Sequence, residues 1–286
     1  MSNAADLASG KGHTDENFPV ASVLIAKEHR PPVMAFYRFA RVADDVADHE
    51  TATPDEKLAL LEAMRASLTG ESDASPEGVG LRKVLAARDL TNQHGLDLLE
   101  AFRRDVTKLR TTSWGDLLDY CRYSAMPVGR FVLDVHGESR ALWPANDALC
   151  AALQVINHLQ DCAKDFRTLN RVYLPLDELN AHGLTVDVLT QPKSPPALRS
   201  LLRDLARKNA DLLDTARPFA SQIRDRRLSL EVSVIQTLAD DLNRKLLSKD
   251  PLADRVHHAK WEMPGLLARA TMLFALGRLR PKKVPA

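Results

Sequence analysis

The sequence predicts an all-α single domain, and three observations carry that reading. From Phe18 onward apolar residues recur at three- and four-residue steps, the spacing that gives a helix one buried face. Strand signals are missing: β-branched runs are short, and no Asn-Gly or Asp-Gly hairpin pair occurs. No repeat period is visible. At 286 residues and 45% hydrophobic content the chain has enough apolar material for a large core.

Taken in order, residues 1–14, rich in Ser, Ala, Gly and charge, read as a flexible tail, 15–280 as the helical domain around a central cavity, and 281–286 as a basic C-terminal tail. Pro31 and Pro32 open a long helix where a missing N–H costs little, and it runs to Asp48. Thr53-Pro54-Asp55-Glu56 starts a second helix that ends near Gly70, followed by a loop of Ser, Asp, Pro and Gly over 71–78. Helices follow over 81–88, 93–110 and 114–136, the last behind Ser113 and Asp116, which resemble a capping box. Within it Pro127 and Gly129 call for a kink or a close backbone approach. Phe131, Val132 and Val135 then either wall a channel for an elongated apolar ligand or simply pack. The periodicity resumes over 146–167, loosens to Pro196, and returns over 197–216, 218–247 and 261–278.

Two of these helices carry acids where an apolar face is expected. Asp44 and Asp48, and Asp161 and Asp165, are each four residues apart, which puts both carboxylates of a pair on one face about one turn apart. Such charges repel unless a cation or a hydrogen bond compensates. Two such faces turned toward each other make an oxygen-lined pocket for hard divalent cations, Mg²⁺ above all. Tyr37 and Arg41 lead into the first pair in phase, Gln154 and Asn157 into the second. Neutral amide oxygens are suitable Mg²⁺ ligands, and an arginine one turn away can hold a phosphate oxygen. Arg171 and Tyr173, just past the second acidic helix, read either as a further cation and hydroxyl closing over the same anion or, for Arg171, as a helix-end salt bridge. Asp105 shares a face with Leu98 and Phe102, as a substrate-side acid or as a buried partner of an arginine.

Composition removes other classes. With 39 Lys and Arg against 38 Asp and Glu the net charge is +1, which gives no pull toward nucleic acid. Cys121, Cys150 and Cys162 form no CxxC pair, which fits a reducing compartment, and the reading is cytoplasmic. No GxSxG, Walker A or GxGxxG motif is present. The histidines include no HExxH, and His257 and His258 point to different faces, so imidazole-held metal is not expected. The C-terminal apolar run, broken by Arg269 and Arg278, is too short to span a bilayer. With Arg278, Arg280, Lys282 and Lys283 behind it, it reads as a surface that touches an acidic membrane or as a solvated tail.

The two acidic segments, residues 37–48 and 154–165, resemble in order and separation the hallmark segments of the squalene and phytoene synthase family, and Tyr120-Cys121 with Pro127-Val-Gly129 resembles its central helix. Residues 16–22, 124–130 and 157–162 are similar to the bacterial hydroxysqualene-forming branch of hopanoid pathways. Phytoene, dehydrosqualene and presqualene diphosphate synthases usually carry Arg just before the second pair, where this chain has Gln160. The departure suits an enzyme that handles one diphosphate.

The resemblance implies an isoprenoid-synthase helical bundle that ionises presqualene diphosphate and captures the rearranged cation with water, without reductant. It implies Mg²⁺ on Asp44, Asp48, Asn157, Asp161 and Asp165, with Asn17, Tyr37, Arg41, Gln154, Arg171 and Tyr173 on the substrate. Tyr120 would steady the cation or orient the water. The partners it implies are an isoprenoid diphosphate and neighbouring hopanoid-pathway enzymes. Rival readings are a squalene synthase using NADPH, an enzyme that condenses prenyl diphosphates, and a silent scaffold of the same fold.

Overall fold

The computed structural model describes residues 25–279, and within them the regular structure is helical, with one isolated bridge between Arg110 and Val172. The tails and Asn17 lie outside the described residues. The first helix, α1 (Arg30–Asp48), has prolines in its first turn. Helix α2 (Pro54–Thr69) starts at a full capping box, in which Thr53 Oγ1 accepts from the Glu56 N–H and the Glu56 carboxylate accepts from the Thr53 N–H at 2.8 Å. It ends at Gly70, whose φ of 91° is the left-handed conformation glycine adopts without strain. Then come α3 (Pro76–Ala86), α4 (Gln93–Thr107), α5 (Trp114–Ser124) and α6 (Met126–Val135). Beyond a short 3-10 turn run α7 (Trp143–Leu169), α8 (Leu176–Ala181), α9 (Pro196–Ala216), α10 (Phe219–Gln222), α11 (Arg226–Ser248) and α12 (Met263–Leu279).

Several sequence expectations shift. The loop after Gly70 yields to helix at Pro76, because Ser75 Oγ accepts from the Gly78 N–H and caps it. The single helix expected over 114–136 breaks at Ala125 (φ −125°, ψ −47°), two residues before Pro127. Pro127 has no N–H to give the Tyr123 carbonyl and its ring crowds that carbonyl, so α5 cannot run on through it and the proline falls in the first turn of α6. The stretch 218–247 breaks at Ile223, and α11 starts afresh where the Asp225 carboxylate accepts from the Arg227 and Leu228 N–H groups. Ser113 caps α5, but the short Asp116 carboxylate reaches the Thr112 N–H instead of closing the box. Phe131 and Val135 wall no channel: both are buried, and Phe131 stacks on Phe36 with ring centroids 4.1 Å apart.

The apolar residues form two main cores. One gathers Phe36, Phe39 and Val46 of α1 with Leu61, Met64, Leu81 and Leu98 of the next three helices. The other gathers Val155, Ile156 and Leu159 of α7 with Leu201, Leu205 and Leu242 of α9 and α11. Helix α1 packs mainly on α2, α3 and α4, and α7 on α5, α6, α9 and α11, so the two acid-bearing helices pack chiefly on other helices rather than on each other. A polar seam is left between the cores. The α6–α7 contact beside it is unusually close: a Cβ on Gly129 would lie 2.1 Å from Asn146 Oδ1 and 2.6 Å from Cys150 Sγ. Gly129→Ala is therefore expected to destabilise by about 1–3 kcal/mol by forcing α6 off α7. Gly80→Ala, with nothing within 4 Å of the added methyl, serves as the control in denaturant melts.

Candidate active site

Tyr37, Arg41, Asp44 and Asp48 recur along one face of α1 and are half-buried where that face borders the seam. Arg41 holds Asp44 at 3.0 Å and also bonds the buried Asp45. Asp45 was not singled out from the sequence, although its i,i+4 spacing from Arg41 is a visible signal. On α7, Gln154, Asn157, Asp161 and Asp165 are likewise half-buried on the seam side.

The left-handed Asn170 (φ 52°) ends α7 and turns the chain back. A short bridge then pins residues 171–173 beneath the α4–α5 connection, with Val172 N–H donating to Leu109 C=O at 2.9 Å and Thr111 N–H to Val172 C=O at 3.0 Å. This turn puts Arg171 at the centre of the seam. Its guanidinium pairs with Asp48, donates to Ala47 C=O at 2.8 Å and donates to Asp105 C=O at 2.9 Å. The side chain is 7% exposed and spends its donors on α1 and α4. The ion pair expected of it is present, made across to Asp48 of α1 rather than at the end of its own helix.

Asp105, whose reading was open, is 5% exposed and accepts from the Tyr120 and Tyr173 hydroxyls at 2.7 Å each. Arg171 touches its carbonyl rather than its carboxylate. Burial pushes the Asp105 carboxyl up to about 6, against the lowering pull of Arg171 and the two hydroxyls. Tyr173 stacks on His158 at 3.7 Å and lies 5.3 Å from Tyr120. Burial holds His158 down to about 3, so its imidazole is neutral and takes a hydrogen bond from the Gln154 amide at 3.2 Å. His158 was missed because a single buried histidine in a helix carries no spacing signal. Tyr120, His158 and Tyr173 thus form a cluster of three rings, His158 stacked on Tyr173 and Tyr120 tilted against both.

The carboxylates of both pairs feel one another. Asp44 is pushed up to about 7, first by loss of water and then by Asp48, with Arg41 pulling it down. Asp165 is pushed up to about 7 by burial, then by Asp161, with Asp48 of α1 adding to the rise. An acid on α1 therefore raises an acid on α7, which puts both pairs on one electronegative region. The Asp44 side chain keeps 37% of its surface reachable and is still strongly desolvated, the condition of a group lining a recess rather than a convex surface. Carboxylates held this close without enough cationic partners, beside an amide oxygen, are a donor set that fits a hard divalent ion.

The sign of the pH effect follows. A carboxylate whose folded value is raised binds its proton more tightly folded than unfolded, so its contribution to stability is lost as pH rises from about 4 toward 7 and beyond. Metal-free protein is expected to melt at a lower temperature at pH 8 than at pH 6, with Mg²⁺ restoring more at pH 8. Thermal melts with EDTA and with Mg²⁺ check this, and an Mg²⁺ stabilisation larger at pH 6 would refute it.

Gln160 points away from the seam. Its buried amide donates to Val256 C=O and ties α7 to the segment before α12. Among the described residues no helix is long and apolar enough to cross a membrane.

The squalene/phytoene synthase family model matches residues 11–263. The hydroxysqualene synthase of Zymomonas mobilis is 57% identical over 277 residues, 96% of this chain and 93% of that protein. That of Rhodopseudomonas palustris is 57% identical over 257 residues, 90% of this chain and 88% of that protein. Among solved structures, squalene synthase HpnC from Alicyclobacillus acidocaldarius superposes with a TM-score of 0.71 at 31% identity, covering 85% of this chain and 91% of that one. A match over nearly the whole helical body, with both acidic helices inside it, means that this chain belongs to the squalene/phytoene synthase family.

Proposed function

We propose that this chain is a hydroxysqualene synthase, converting presqualene diphosphate and water to hydroxysqualene and diphosphate. What supports the reading is 57% identity over 96% of the chain to a hydroxysqualene synthase, together with the electrostatic influence of Asp48 on α1 upon Asp165 on α7. Asp44, Asp48, Asn157, Asp161 and Asp165 would hold Mg²⁺, which when bound supplies Lewis-acid charge to the departing diphosphate. Arg41, already beside Asp44, adds positive charge at the same mouth, and Tyr37 and Gln154 orient the phosphate oxygens. Arg171 keeps Asp48 turned into the seam.

The carbon–oxygen bond to diphosphate breaks with its electron pair leaving on oxygen. The resulting cyclopropylcarbinyl cation rearranges, and water then forms the new C–O bond and sheds a proton. Tyr120 and Tyr173 have their hydroxyls tied to Asp105. Their ring faces are thereby held in place, and such faces stabilise a passing carbocation. Contact with a lipid surface belongs to the same proposal: Leu267, Met272, Leu273 and Leu276 of α12 and the 80%-exposed Trp261 form an apolar surface ahead of a basic tail.

Purified protein given presqualene diphosphate and Mg²⁺ without NADPH is expected to release hydroxysqualene and diphosphate, and EDTA to stop it. Squalene formed only with NADPH, or turnover of farnesyl diphosphate alone, would overturn the reading.

A further inference from the structure

A second group of metal-ligating side chains lies at the opposite end of α1 from the aspartates. His29, the residue that caps the start of α1, meets His136 at the end of α6 and Asp225 at the start of α11, with one donor atom from each all within 4.8 Å of one another. The two imidazole rings are 4.1 Å apart, centroid to centroid. Asp44 is fifteen residues further along α1, about 22 Å at the helical rise, so this cluster is separate from the acidic seam. In sequence the two histidines are more than a hundred residues apart, which is why no motif announced them.

Two of the ligands are fixed by hydrogen bonds, and the third has a buried donor atom to spare. His136 Nδ1–H donates to Val132 C=O at 2.8 Å, which fixes the tautomer and leaves Nε2 with its lone pair. Burial lowers the proton affinity of that imidazole and favours the neutral form. His29 Nδ1 is buried with no hydrogen-bond partner, a donor atom kept from water with nothing to satisfy it. Asp225 uses Oδ1 for both bonds that cap α11, so ligation through Oδ2 costs that cap nothing. The loop that presents Asp225 is itself tied down by the buried Glu138 carboxylate, which accepts from the Arg224 and Asp225 N–H groups.

We propose that His29, His136 and Asp225 form a three-ligand site for a zinc-type divalent transition ion, joining the starts of α1 and α11 to the end of α6. Two nitrogens and one carboxylate oxygen are the donor chemistry of Zn²⁺ and its first-row neighbours, not of Mg²⁺, and water completes the tetrahedron. Donors about 2.1 Å from one ion stand about 3.4 Å apart, so loading draws the three inward by about 1 Å. The ion would fix the end of α1 remote from the aspartates, and with it the register of the helix that carries them.

The test uses the full chain stripped of metal and kept in excess Mg²⁺, titrated with Zn²⁺ by calorimetry and with Co²⁺ by visible absorption. Expected are one Zn²⁺ per chain, a tetrahedral Co²⁺ spectrum, and a melting temperature raised by Zn²⁺. His29→Gln, His136→Asn and Asp225→Ser should each weaken Zn²⁺ binding at least tenfold, and the serine keeps an N-cap for α11. Asp161→Asn should leave Zn²⁺ binding unchanged. No saturable binding, equal affinity in the wild type and the three variants, or loss of binding in Asp161→Asn would overturn the site. Circular dichroism of the metal-free variants separates a lost ligand from a lost fold.

Discussion

Asp161→Asn is expected to lower turnover of presqualene diphosphate by about three orders of magnitude, the scale on which oxyanion and metal contacts act. The substitution is nearly isosteric and removes one negative charge from the α7 pair. The same change relieves Asp165, whose carboxyl is raised in part by Asp161. Metal-free protein should therefore be no less stable, and its helical circular dichroism unchanged. Loss of turnover with retention of fold separates a group that holds cation and diphosphate from one that holds the bundle together. The apparent Mg²⁺ requirement should rise in the variant, seen as activity partly recovered at high Mg²⁺. Wild-type turnover at ordinary Mg²⁺ would remove Asp161 from the metal site and leave a scaffold as the better description.

Arg171→Met is expected to cost about 1–3 kcal/mol of stability and most of the activity. The guanidinium is 7% exposed and engages three acceptors from two helices, Asp48, Ala47 C=O and Asp105 C=O. Removing it takes the donor from the Asp105 carbonyl, at about 1–3 kcal/mol for a buried group left unsatisfied, while Ala47 C=O still accepts from Lys57 Nζ at 3.0 Å. The Asp48 carboxylate is 39% exposed, so its loss of a partner is screened by water and adds little. Arg171→Lys restores charge but not the fork that spans α1 and α4, and should recover part of the stability and little of the activity. Denaturant midpoints and kcat measured on the same preparations check both. A Met variant as stable as the wild type would mean that Arg171 does not organise the seam.

The helices were legible because their apolar spacing is strong, and the start of α2 because Thr53 and Glu56 cap it within three residues. The equally local caps at Ser75 and Asp225 were not, since a lone Ser or Asp in a polar stretch also suits a loop or a helix surface. The break at Ala125 was half legible. Pro127 announced an interruption, but whether it bends a helix or separates two depends on how α5 and α6 pack on α7. Phe131 and Val135 were open between wall and core because both need apolar side chains, and only the stack on Phe36 assigns Phe131. Gln160 reads only as a departure from the arginine that related synthases carry there, and its contact with Val256 C=O, almost a hundred residues away, is beyond any local signal.

The sequence by itself determined an all-helical body with two acidic pairs, each on one helix face, since a one-turn spacing is a property of the chain alone. Tertiary structure decided that Asp48 and Asp165 share a field, that Arg171 bridges α1 and α4, that Asp105 ties two tyrosines, and that His29, His136 and Asp225 meet. The physical reason is range. Hydrogen bonding and capping act over a few residues, whereas charges and ligands from distant segments come together only where packing of the apolar faces brings their helices.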